Sequence, residues 1–127
     1  MKLVIDTSVL IDHLRSEKSS NVLFERWEKL NVELFIPTIV IFELFCGKGT
    51  ANSVVVMKIA NLIANFKRIE LTEEIAVQAG KLYREVGLQI SPQDYIIAAS
   101  ALSIGGEVVT LNKKHFQQIP NLTLYSS

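Results

Sequence analysis

Cysteine is almost missing from this chain. Cys46 is the one thiol in 127 residues, so no internal disulfide can form, and such usage suits a reducing compartment. Charge of either sign is not in excess either: Lys plus Arg and Asp plus Glu stand at 13 each. The molecule as a whole therefore exerts no long-range pull on a polyanion, and any nucleic-acid attraction has to be local. No apolar run approaches the ~20 residues that a membrane span needs. A strand of buried type begins at Leu3, which leaves no signal peptide ahead of it. His13 and His115 are lone and Cys46 has no partner, so a zinc cluster lacks its ligands. The expectation is a cytoplasmic protein with no membrane segment.

What is plentiful is apolar surface. Hydrophobic residues make up 49% of the chain and mean hydropathy is +0.29, rich enough that a partner or a second copy is expected to cover part of it. The length is that of one domain, residues 1–127, with enough chain to bury a real core.

The organising stretch is Leu3-Val4-Ile5-Asp6-Thr7-Ser8, an apolar strand that ends in a carboxylate and two hydroxyls. Helical patterns follow over Val9–Leu14 and Asn21–Leu30, the second with Val22, Leu23, Trp27 and Leu30 at helical spacing. A brief strand at Leu34–Ile36 is closed by Pro37, which suits the first position of a helix over Thr38–Cys46. A helix over Ser53–Phe66 and a strand over Arg68–Leu71 come next. Thr72 then caps a helix with Glu73 and Glu74 in its first turn, carrying Ile75, Ala79, Leu82, Tyr83 and Val86 inward and ending at Gly87. Ser91-Pro92 opens a helix dense in small residues (Ala98, Ala99, Ser100, Ala101), which Gly105-Gly106 closes. Glu107–Thr110 reads as a strand, Lys113–Phe116 as a helical turn and Leu122–Tyr125 as a last strand. This alternation predicts an α/β protein: a three-layer α/β/α sandwich around a central, mainly parallel sheet.

Three acids stand out from the solvated charges. Asp6 terminates the first strand, where it could cap the following helix or enter a site at the sheet's carboxyl edge. Glu43 lies in Ile39-Val40-Ile41-Phe42-Glu43-Leu44-Phe45, where a carboxylate is costly unless paired with a base or bound to a cation. Asp94 completes a capping box from Ser91, and that same helix start would point into such a site. Thr110 and Asn112 follow another strand end. Two carboxylates ~4 Å apart repel by roughly 4 kcal/mol at an effective dielectric near 20, so three together call for a cation. Oxygen-only ligands favour Mg²⁺ or Mn²⁺.

These residues resemble a known family. Met1 to Asp12 is similar to the opening of PIN-domain ribonucleases, in particular the VapC-type toxins of toxin–antitoxin pairs. Phe42-Glu43-Leu44-Phe45-Cys46-Gly47 resembles their second acidic motif and Ile90–Ala99, with Ser91-Pro92-Gln93-Asp94, the third. Val108–Phe116 with Ile119-Pro120-Asn121-Leu122 resembles the C-terminal signature. The set runs in order from end to end. It implies a PIN-like fold and a metal-dependent endoribonuclease acting on single-stranded or loop RNA. Asp6, Glu43 and Asp94 would be the metal residues, and the protein a homodimer neutralised by a small cognate antitoxin. One departure is that many relatives carry another acid at or just after the position of Asn112. Here Asn112 is neutral and His115 stands where some have an acid, which argues against a second tightly bound ion.

The expected reaction is hydrolysis by a metal-activated water. Glu43 or Asp94 would orient the water, Thr110 and Asn112 would position it or contact the phosphate, and Ser8 would donate to a carboxylate or phosphate. Asp12 is a further possible contributor, and Arg15, Lys48, Lys113 and Lys114 are the bases that could meet backbone phosphates. Two rivals remain. An aspartate-based phosphatase would need a second Asp two residues after Asp6, where Ser8 stands. A PIN-like RNA- or protein-binding module without chemistry is kept open by the neutral Asn112. Val54, Val55, Val56 and Met57 are more apolar than one buried face requires, which suggests a dimer contact.

Overall fold

The computed structural model describes residues 1–15, 19–87 and 89–126, with the backbone alone for 19–23. Five short strands form one sheet: β1 (Lys2–Ile5), β2 (Glu33–Pro37), β3 (Lys67–Ile69), β4 (Glu107–Val109) and β5 (Thr123–Leu124). Their order is β3-β2-β1-β4-β5 and every pairing is parallel. Among the described residues seven helices flank the sheet: α1 (Thr7–Arg15), α2 (Ser19–Leu30), α3 (Thr38–Phe45), α4 (Ser53–Ile63), α5 (Glu73–Val86), α6 (Pro92–Ile104) and α7 (Lys113–Phe116). A 3-10 turn, Lys48–Ala51, joins α3 to α4. The chain moves outward from β1 to β3, then crosses back to β4. With right-handed crossovers this reversal puts helices on both faces, the three-layer sandwich expected from the sequence.

β1 is the centre of the sheet, and Leu3, Val4 and Ile5 are all fully buried. An uninterrupted apolar run of this kind is what a strand covered on both faces requires. The small residues of α6 do as anticipated: Ala98, Ala99, Ser100 and Ala101 are buried, and the Ser100 hydroxyl donates back to the Ile96 carbonyl at 2.7 Å. Gly87 and Gly105 end α5 and α6 in the left-handed conformation, at φ 65° and 64°.

Several boundaries differ from expectation for local reasons. α1 begins at Thr7 rather than Val9, so Asp6 is the last residue before the helix. Pro37 closes β2 and stands just outside α3, not inside it. α4 stops at Ile63 because the Arg68 guanidinium donates to the Ile63 and Phe66 carbonyls, each at 2.6 Å, satisfying groups that a longer helix would have used. Phe66 is buried beyond the helix end. Tyr83, expected inside, is 56% exposed, its ring edge against Tyr95 with centroids 5.4 Å apart. The inward positions expected at Val22 and Leu23 lie outside the described residues. Among the described residues no helix is long and apolar enough to cross a membrane.

Gly106 admits the start of β4 beside β1. A Cβ there would lie 2.9 Å from Val4 Cγ2 and 3.3 Å from the Lys2 carbonyl oxygen. Gly106→Ala is therefore expected to destabilise the protein by about 1–3 kcal/mol, read as a lower midpoint in urea unfolding with an unchanged slope. A midpoint equal to that of the unsubstituted chain would contradict this packing.

Candidate active site

The reversal of strand order falls between β1 and β4, and ligands of open α/β sheets gather outside the carboxyl ends at such a point. Asp6 follows β1 and Thr110 follows β4. The Asp6 backbone N–H donates to the Val109 carbonyl at 2.9 Å, extending the pairing by one residue. The Asp6 carboxylate, 3% exposed, receives two hydroxyl hydrogen bonds on Oδ2, from Ser8 Oγ and Thr110 Oγ1, each at 2.7 Å. Ser8 Oγ in turn accepts the Leu111 N–H at 3.1 Å, and Thr110 Oγ1 accepts the Asn112 N–H at 2.9 Å. The loop after β4 is thus fastened to the loop after β1 through one carboxylate oxygen.

Glu43 reaches the same edge from α3. Its Oε1 accepts the Thr7 hydroxyl at 2.8 Å, so consecutive residues, Asp6 and Thr7, belong to two different acid contacts. Burial pushes the Glu43 carboxyl above its ordinary range, and the Asp6 and Asp94 charges push it further, while the Thr7 hydrogen bond pulls the other way. Asp94 sits in the first turn of α6, its N–H held by the Ser91 hydroxyl at 3.3 Å, so the capping reading of Asp94 is correct as well. Its carboxyl is raised first by burial and then by Asp6, against the lowering effects of His115 and Ser91. Asp94 Oδ2 lies 3.0 Å from His115 Nδ1. The three acids named from the sequence therefore share one electrostatic neighbourhood.

The remaining named residues divide. Thr110 is buried and bonded to Asp6, whereas Asn112 joins the site by its backbone and exposes its side chain. Lys113 and Lys114 are exposed on α7, next to His115. Lys48 lies in the turn after α3, and Arg15 ends α1, about 12 Å along the helix from its start. Burial lowers the His13 pKa, and the Asp12 charge only partly opposes it; Asp12 contributes to neither raised carboxyl. Thr7 and the His115–Asp94 contact are what the sequence reading missed. Thr7 stands beside Asp6 in a run of three polar residues, a signal that was present but did not say which partner the hydroxyl would find.

Among the described residues the ion pairs are Lys67–Glu33, Arg84–Glu85 and His115–Asp94. No lysine or arginine in that set touches Asp6, Glu43 or Asp94. Nor do three His, Cys, Asp or Glu side chains stand close enough among the described residues to form a finished metal cage. What is present is an all-oxygen set of one buried and two partly buried acids, held by hydroxyls and one imidazole, and such a donor set fits a hard divalent cation.

A parallel sheet with acids converging on its switch point defines an α/β protein with an acidic site at the sheet's carboxyl edge. A family profile described as PIN domain matches residues 3–122, and the chain belongs to the PIN-domain family. Ribonuclease VapC19 of Mycobacterium tuberculosis is 35% identical to it, over 96% of this chain and 97% of that one. The crystal structure of DNA-bound VapBC from Salmonella typhimurium superimposes with a TM-score of 0.86 at 25% identity, covering 98% and 97% of the two chains. A toxin–antitoxin complex from Klebsiella pneumoniae gives a TM-score of 0.78 at 25% identity, over 98% and 99%.

The raised carboxyls have a consequence for stability. A group with a higher pKa in the folded than in the unfolded state holds more protons when folded, so stability falls as pH rises through that interval. In metal-free buffer the melting temperature is expected to fall between the ordinary carboxylate range and the raised values of Glu43 and Asp94. Glu43→Gln should fall less steeply than the unsubstituted protein over that interval. Parallel melting curves for the two would remove the basis for the shared neighbourhood.

Proposed function

We propose that the chain is a metal-dependent endoribonuclease, the toxin of a toxin–antitoxin pair, that hydrolyses RNA phosphodiesters at Asp6, Glu43 and Asp94. The observation that carries this reading is the convergence of the three acids, with Asp6 acting on both Glu43 and Asp94, and no lysine or arginine paired with any of them among the described residues. Its relatives, a ribonuclease VapC and a toxin–antitoxin complex, support the same reading. Mg²⁺ or Mn²⁺ suits the oxygen donors, with Asp6, Glu43 and Asp94 as the holding residues. When bound, the ion supplies positive charge at the scissile phosphate and a lower pKa for the attacking water.

The protein's own groups do the rest. In hydrolysis the water oxygen bonds to phosphorus and the bond to the leaving sugar oxygen breaks. Ser8 and Thr110 fix Asp6 through Oδ2, and Thr7 fixes Glu43, so the acids do not swing away from one another. Asn112 at the rim offers its exposed amide to phosphate or water, and Lys113 and Lys114 meet the neighbouring backbone phosphates. Ser8 carries no carboxylate and is bonded to Asp6 itself, which argues against an aspartyl-phosphate intermediate. The protein works in the cytoplasm as a single domain, and a small antitoxin holds it inactive.

Asp6→Asn and Asp94→Asn should each lower Mg²⁺- or Mn²⁺-dependent cleavage of single-stranded RNA by at least roughly a hundredfold. The metal-free fold should be as stable or more so, because repulsion is relieved. Cleavage at the unsubstituted rate in either variant overturns the assignment, and RNA that is bound but never cut identifies a binding module instead.

A second copy covers the apolar excess. Of the four residues named on α4, Val54 and Met57 are 59% and 65% exposed, whereas Val55 and Val56 are partly buried. Sedimentation at high micromolar concentration should report a dimer; a monomer there counts against the homodimer.

A further inference from the structure

Hydrogen bonds link Asp6 and Asp94, the two acids of the site furthest apart in sequence, through one short segment, residues 110–115. Thr110 Oγ1 donates to Asp6 Oδ2 at 2.7 Å and accepts the Asn112 N–H at 2.9 Å. The Asn112 carbonyl accepts the His115 N–H at 3.0 Å, and His115 Nδ1 meets Asp94 Oδ2 at 3.0 Å. The next residue, Phe116, is fully buried and anchors the far end of the segment in the core. We propose that His115 is a positioning residue, the clasp by which the segment after β4 holds Asp94 at a fixed separation from Asp6 for the divalent cation.

The direction of the bond follows from the inventory of donors. An ionised carboxylate only accepts, so Nδ1 carries the hydrogen. The Oδ2 oxygen of Asp94 is thereby fixed toward the segment after β4. Carboxylates that ligate metals are commonly held by such an outer partner, whose loss weakens binding. The contact is sheltered on the acid's side: the Asp94 side chain is 13% exposed while that of His115 is 46% exposed. His115 can therefore be replaced without opening the core. The inference rests on the cation reading above, yet its geometry can be checked with no metal present.

In metal-free protein, long-range proton–nitrogen correlation spectra should show His115 with its hydrogen on Nδ1, and Asp94→Asn should shift it toward Nε2. An Nε2–H form in the unsubstituted protein overturns the clasp whatever the site binds. Calorimetric titration with Mn²⁺ should then show His115→Ala binding at least fivefold more weakly. His115→Asn, whose amide nitrogen stands at the same number of bonds from Cα as Nδ1, should bind within twofold of the unsubstituted protein, and His115→Gln should behave like the alanine variant. Equal Mn²⁺ affinity in His115→Ala overturns the positioning role and leaves the cation reading standing. An unsubstituted protein that takes up no Mn²⁺ overturns the cation reading and, with it, the purpose assigned to His115.

Discussion

Carboxylates crowded at one sheet edge repel, and the construction of this molecule turns on how that repulsion is contained. Asp6, Glu43 and Asp94 are each met by a neutral donor or a single imidazole: Ser8 and Thr110 for the first, Thr7 for the second, His115 for the third. A hydrogen bond to a charged group contributes about 1.5–3 kcal/mol but brings no full positive charge from a hydroxyl. Orientation is thus secured, while burial first and the neighbouring acids second keep the Glu43 and Asp94 carboxyls raised. An arginine in the same place would have cancelled the charge permanently and left nothing for a cation to do.

The fold contributes to this containment in a second way. Asp6 immediately precedes α1 and Asp94 lies in the first turn of α6, so two helix N-termini, each with a partial positive charge, face acids. Because β1 is central and β4 lies beside it, the two loops that carry Asp6 and Thr110 are neighbours by sheet register. Glu43 comes from α3, directly after β2, the strand on the other side of β1. Three adjacent strands therefore deliver their following residues to one place.

Local chemistry was legible in the sequence and long-range pairing was not. The buried run Leu3–Ile5, the Thr72 and Ser91 caps and the glycine stops at Gly87 and Gly105 each follow from a few neighbouring residues. Glu43 was legible because a carboxylate inside an apolar helix demands a reason. By contrast Thr7 finds Glu43 across 36 positions and His115 finds Asp94 across 21, and no spacing rule links them. The end of α4 was misplaced because Arg68, well past the helix, decides it. Tyr83 was assigned inward by period, yet a tyrosine at the margin of a helical stripe can turn its ring along the surface and keep its hydroxyl wet.

Position 112 shows why side-chain type alone misleads at such a site. An amide where relatives are expected to carry an acid looks like a loss of function if the side chain is taken as the working part. Here the backbone is a working part as well: the Asn112 N–H binds Thr110 and its carbonyl receives His115, while the residue is exposed. The fixed requirement at this position is a backbone path from Asp6 to Asp94, which an acid or an amide can supply equally. Neutrality then has a use, since the chain carries no net charge and must attract a polyanion locally. An added carboxylate beside Lys113 and Lys114 would weaken the basic stretch that directly follows Asn112.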